Sequence, residues 1–190
     1  SPWEYPSGRI EAFEDPPNTR NNTVKYADYA LGTFIEKAKS SDYWDRTVFL
    51  IVADHNSRVY GADLVPIERF HIPGLILGAM IEPREVSSVV SQIDLLPTVL
   101  ELIGIEGCHP SIGDNVLSAA LGEGRAIMQY NESQAYMEGG KVVVSNQKKQ
   151  QQFFNYIGGH LVSADTADKA LSERALAHYN WPAYVYHNGL

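Results

Sequence analysis

An acid and a histidine stand side by side at Asp54 and His55, directly after six consecutive apolar residues, 48–53. A carboxylate beside an imidazole suits zinc or manganese, and a dication held there neutralises ester oxygens and lowers the pKa of an attacking hydroxyl. The plainer reading is a helix cap and a hydrogen bond at a strand end. Asn56 and Arg58 follow in a loop that could face a phosphate, since the arginine fork pairs two oxyanion oxygens at once; a solvated loop is the alternative. His71 stands just before a second apolar run, residues 72–77. It could bind a substrate oxygen or a second metal, or be hydrogen-bonded inside the fold. His109, His160, His178 and His187 are assigned no role.

What must position these groups is a strand. An unbroken apolar run rich in β-branched residues reads as a strand buried on both faces, the habit of a parallel sheet with helices on either side. Asp54 and His55 then fall at its carboxyl end, where open α/β sheets present their chemistry. Residues 72–77 predict a second strand beside the first. Val24, Ala27, Leu31, Phe34, Ile35 and Ala38 recur at three- and four-residue steps, which predicts an amphipathic helix over 23–39 capped by Asn22 or Thr23. Ahead of it, residues 1–22 carry Pro2, Pro6, Gly8, Pro16 and Pro17 and read as a long surface loop, with Trp3 and Tyr5 lining a cleft.

Residues 91–103 predict a helix capped near Asp94, with Pro97 in its first turn and Gly104 past its end. Asp94 is assigned to that cap rather than to catalysis. A short helix is expected over 114–121. The last third changes character: 126–130, 134–137, 141–145 and 153–157 are short β-rich runs that predict an antiparallel meander at the edge of the main sheet. A closing helix over 164–178 is capped by Ser163 or Asp165. Strands and helices alternate before the meander, so the whole reads as an α/β layered domain with helices on both faces.

Composition narrows the function. The 190 residues are 44% hydrophobic and 20% charged, the proportions of a soluble globular domain with one core. Fifteen basic against 23 acidic residues, net −8, argue against nucleic acid or a broad grip on anionic lipid. An anionic substrate therefore needs a local cation. Cys108 is the single cysteine, so no internal disulfide forms. No apolar run approaches the length of a membrane span. The chain opens on Ser1 with no methionine, which suggests a segment of a longer protein.

The phrases VFLIVADHNS, FHIPGLIL and SQIDLLPTVLELIGI, in that order, resemble the sulfatase and alkaline phosphatase superfamily. Within it the likeness is strongest to phosphoglycerol transferases of the lipoteichoic acid synthase type. SPWEYPSGRI and VKYADYALGTFIEKAKSSDYWDRTV resemble the segment before the Asp-His motif in those proteins. The resemblance covers residues 1–105 well and continues loosely through RAIMQYNESQAYMEGGKVVV. It implies an alkaline-phosphatase-like layered sheet and a divalent metal, manganese first, with magnesium, zinc or calcium as alternatives. Asp54 and His55 become adjacent metal ligands, and Arg58, Asn56 and His71 become substrate-binding candidates.

The implied reaction moves a phosphoglycerol group from a lipid-linked donor through a covalent enzyme intermediate. It takes place at the periplasmic or extracellular face of a membrane to which the parent is anchored. A sulfatase is the enzymatic alternative, and a non-catalytic binding module is the alternative from another class. The family draws its nucleophile and an acidic ligand from an upstream strand, yet residues 1–46 hold no apolar strand ending in Asp or Glu. Residues 1–190 are thus expected to be the C-terminal portion of a catalytic domain, inactive without the N-terminal half. A sheet edge bared in this way could instead be covered by a homodimer. Cys108-His109-Pro110-Ser111 resembles the start of the sulfatase signature, but Ile112 stands where Arg belongs and the phrase follows the Asp-His motif instead of preceding it; it reads as a turn.

Overall fold

The computed structural model describes residues 3–56, 58–118, 122–148 and 150–190. They fall into two units, one running to Thr47 and taking in Gly78–Ile81, the other comprising Val48–Leu77 and Glu82–Leu190.

In the first unit, helix α1 spans Arg20–Lys39 and is capped by Thr19, whose side chain accepts the Asn22 amide. The expected helix is there, but it starts earlier, and neither Asn22 nor Thr23 is its cap. Asn22 is instead buried inside the first turn. Its Oδ1 accepts from the Phe13 and Glu14 amides at 2.5 and 3.3 Å, and its Nδ2 donates to the Glu14 and Pro17 carbonyls at 2.7 and 2.9 Å. One side chain thereby ties down the proline-rich loop. Tyr5 stacks on Tyr26 of α1 with ring centroids 5.6 Å apart. Lys37 and Lys39 lie in the last turn, where cations complement the helix dipole.

In the second unit, β1 (Phe49–Val52) pairs with β2 (Gly74–Leu77), Phe49 opposite Leu77 and Val52 opposite Gly74. The two runs are neighbours as expected, but antiparallel. A parallel pair needs a crossover, usually helical; the connection between these strands holds, among the described residues, a single 3-10 turn at Ile67–Phe70 and no α-helix. Nor is β1 buried on both faces: Leu50 and Val52 are each 37% exposed.

A 3-10 turn at Gln92–Asp94 leads into α2 (Leu95–Leu102). Ser91 is the cap, and Asp94 is its reciprocal partner in a capping box, accepting the Ser91 amide at 2.8 Å. Gly104 follows the helix with φ +71°, as its position past the end requires. The helix expected over 114–121 does not form over 114–118, and 119–121 lie outside the described residues. The Asp114 amide donates to Asp94 and the Val116 amide to Thr98 Oγ1, which ties this segment to the start of α2.

The C-terminal strands are β3 (Arg125–Tyr130), β4 (Ser133–Glu138), β5 (Lys141–Ser145), β6 (Gln151–Ile157) and β7 (His160–Ser163). They form an antiparallel meander in sequential order, a sheet of its own rather than the edge of the first. Period-two alternation divides its core. Met128, Ala135, Met137, Val142 and Val144 cluster with Val65 and Ile67, whereas Tyr136 and Val143 pack on Leu171 and Ala175. Those last two belong to α3, Lys169–Asn188, capped by Asp168, which accepts the Leu171 amide at 3.0 Å. Ser163 cannot cap the helix because it ends β7, and the Ala164 amide extends the ladder to the Phe153 carbonyl. Helix α3 therefore starts later than expected, and it runs through Pro182 to a left-handed Gly189.

Candidate metal centre

Beyond Val52 the β1–β2 ladder continues for one more bond, from the Ala53 amide to the Pro73 carbonyl at 3.3 Å. Asp54 thus leaves the sheet at a defined point. Its Oδ1 accepts the His55 amide at 2.8 Å. The His55 ring then makes two contacts: Nδ1 lies 2.7 Å from the Asn56 carbonyl and Nε2 lies 3.4 Å from Asp54 Oδ2. A carbonyl only accepts, so Nδ1 carries a proton, and Nε2 faces the Asp54 carboxylate. A cation between Nε2 and Oδ2, a proton or a metal ion, satisfies both atoms.

This arrangement fits a metal. Two donors each about 2.1 Å from one ion stand about 3.0–3.4 Å apart across octahedral or tetrahedral angles, which the Asp54–His55 pair meets. Bonding the far ring nitrogen to a backbone carbonyl is also how ligating histidines are commonly oriented. The Asp54 and His55 side chains are 87% and 71% exposed, so the pair opens outward. Among the described residues no group of three or more His, Cys, Asp or Glu is placed to hold a metal. Asp54 and His55 offer two donors side by side.

The structure joins Asp54, His55 and the Asn56 backbone directly. His71 is exposed just after the Ile67–Phe70 turn. Because Ala53 meets Pro73, His71 lies at the same end of the ladder as Asp54. Arg58 is exposed in the loop beyond, and no hydrogen bond or ion pair among the described residues brings it or His71 onto the pair. Cys108 is exposed.

Two supports were not legible in the sequence. Gln92 donates through Nε2 to the Ala53 and Asp54 carbonyls, at 3.0 and 3.2 Å. Behind it, Arg125 spends its guanidinium on Asp94 Oδ1 (2.8 Å), the Ile112 carbonyl (2.8 Å) and His178 Nε2 (2.9 Å). His178 donates from Nδ1 to the Arg174 carbonyl at 2.8 Å. The only local signal was the Ser91–Asp94 capping-box spacing, which places Gln92 in a first turn but not against β1.

Residues 2–105 match the family model described as Sulfatase. Arylsulfatase K of Xenopus laevis is 34% identical over 86 residues, which are 42% of this chain and 16% of that protein. Lipoteichoic acid synthase-like YvgJ of Bacillus subtilis is 25% identical over 120 residues, 51% of this chain and 19% of that one. Among solved structures, a protein in the alkaline phosphatase superfamily from Vibrio parahaemolyticus superposes with TM-score 0.88 at 40% identity, covering 98% of this chain and 46% of the other. Ps i-CgsB, at TM-score 0.56 and 18% identity over 90% of this chain and 46% of its own, shares the fold. The chain spans less than a fifth of the curated relatives it matches and about half of the solved neighbours.

Proposed function

The chain belongs to the sulfatase family, and from that premise we propose that it is part of a metal-dependent enzyme acting on phosphate or sulfate esters, with Asp54 and His55 as two ligands. The observation that carries this reading is the His55 ring, tied at Nδ1 to Asn56 and presenting Nε2 beside Asp54 Oδ2 at 3.4 Å. A bound dication supplies positive charge for the ester oxygens and lowers the pKa of an attacking hydroxyl. Asp54 contributes the anionic donor and His55 the neutral one. Arg58 and Asn56, in the loop after the pair, and His71, at the same strand end, receive the oxyanion; Arg58 is the local cation that a chain of net charge −8 needs.

The transferred group is phosphoglycerol from a lipid-linked donor, at the outer face of a membrane to which the parent is anchored. Supporting this is the likeness to YvgJ, which extends over half of the chain. No helix among the described residues is long and apolar enough to cross a membrane. In this reading residues 1–190 are the C-terminal portion of the catalytic domain, and the anchor, the nucleophile and the remaining ligands belong to other parts of the parent. A sulfatase is the second reading, favoured by the 34% identity to Arylsulfatase K.

The test is turnover by the full-length protein, stripped with EDTA and resupplied with manganese, on phosphatidylglycerol and on an aryl sulfate. Phosphodiester turnover restored by manganese and lost in Asp54→Ala is expected. Turnover of the sulfate alone selects the second reading, and turnover of neither sinks both in favour of a binding module.

A further inference from the structure

Gln92 is exposed, yet its carboxamide nitrogen is bonded to the backbone of the β1 exit. Both Nε2 hydrogens go to the carbonyls of consecutive residues, Ala53 at 3.0 Å and Asp54 at 3.2 Å. Two bonds from one nitrogen to successive carbonyls set the orientation of both peptide planes. Those planes fix the Cα–Cβ direction of Asp54 and the peptide that carries His55. The extended ladder already holds the amide side of Ala53 through Pro73. Gln92 holds the carbonyl side, where the strand would otherwise fray into the loop.

The base from which Gln92 reaches is itself rigid. It is the first residue of the 3-10 turn, directly after the buried cap Ser91. Ser91 Oγ donates to the Arg125 carbonyl at 3.1 Å and accepts the Ile127 amide at 3.0 Å, which pins the cap to β3. One turn on, fully buried Asp94 holds the Arg125 guanidinium. An unbroken hydrogen-bonded path thus runs from the five-stranded sheet through Ser91 to the exit of β1.

We infer that Gln92 is a positioning residue for the metal-binding strand end, coupling the Asp54–His55 pair to the C-terminal sheet. This rests on the reading of Asp54 and His55 as metal ligands. Groups one shell out from a metal commonly change affinity about tenfold to a hundredfold when removed. Gln92 acts through the backbone, so the lower end of that range applies.

The experiment uses the full-length protein with manganese alone as probe. Gln92→Met keeps the side-chain length and removes the donors; Gln92→Glu puts a carboxylate oxygen against the two carbonyls. Because position 92 is exposed, both variants are expected to fold, and either one decides the question if the other does not. Expected are a manganese affinity at least about tenfold weaker, an altered paramagnetic resonance spectrum of bound manganese, and an unchanged melting temperature for the metal-free protein. Wild-type affinity and spectrum in the Gln92 variants, with binding abolished in Asp54→Ala, overturn the inference and leave the metal site standing. A lower metal-free melting temperature with unchanged affinity also overturns it, since the role is then structural. Wild-type binding in Asp54→Ala overturns the metal site itself.

Discussion

Arg125 and Asp94 form an ion pair at 2.8 Å with side chains 7% and 0% exposed. Asp94 is fully engaged: Oδ2 takes the Ser91 amide, and Oδ1 takes the Asp114 amide as well as Arg125. The pair therefore joins the start of α2, the 112–114 loop and β3 at one point.

Deleting one partner of such a pair leaves a buried charge bare, which costs about 3–5 kcal/mol. Arg125→Met, which strands Asp94, is expected to lower unfolding free energy by that amount, and Asp94→Ala by less, because Arg125 Nη2 also lies 3.3 Å from Asp114 Oδ2. The double variant should lose less than the sum, because neither charge is then stranded. Urea unfolding of the four proteins gives the coupling directly; strict additivity contradicts the assignment.

Asn22→Ala removes five bonds between the first turn of α1 and the preceding loop. Leaving buried polar groups unpaired costs about 1–3 kcal/mol. Limited proteolysis should cut ahead of residue 19 faster in the variant, while cleavage in the C-terminal sheet stays at the wild-type rate.

Burial pushes the Tyr136 hydroxyl up to about 12, aided by the Glu138 carboxylate that accepts its hydrogen bond at 3.1 Å. Burial also raises Tyr179, whose buried hydroxyl has no hydrogen-bond partner among the described residues, and Tyr156. These phenols stay protonated in the fold at a pH where the unfolded chain has lost the protons, so the folded state binds more protons. Stability from this source is complete below pH about 10 and declines as pH rises toward 12. Urea midpoints measured between pH 9 and 12 should fall along that window, and Tyr136→Phe should flatten the fall.

Among the described residues no third His, Cys, Asp or Glu joins Asp54 and His55 to hold a metal. Calorimetry with manganese is expected to give weak or undetectable heat. Tight one-to-one binding that disappears in Asp54→Ala would mean the chain holds a complete site.

Much of the fold is written in local pattern. The three- and four-residue recurrence from Val24 to Ala38 marks α1, and the β-rich runs around Gly139-Gly140 mark the hairpins of the meander. Both depend on residues a few positions apart. Helix starts were harder: Asn22, Ser163 and Asp165 are chemically good caps, yet Thr19 and Asp168 do the work. Asn22 is spent on the loop and Ser163 on a strand, and both outcomes are set by distant partners.

The sequence alone determined the chemistry on offer: an Asp-His pair at the end of an apolar strand, a second strand beside it and a capped helix after them. Residue type and short-range periodicity suffice for that, because each depends on side chains close in sequence. Tertiary structure decided the antiparallel sense of β1 and β2, the separateness of the five-stranded sheet, and the roles of Gln92 and Arg125. Arg125 finds Asp94 across 31 residues and Gln92 finds Asp54 across 38. Bonds over such spans exist only after the chain has folded back on itself, so no local pattern announces them.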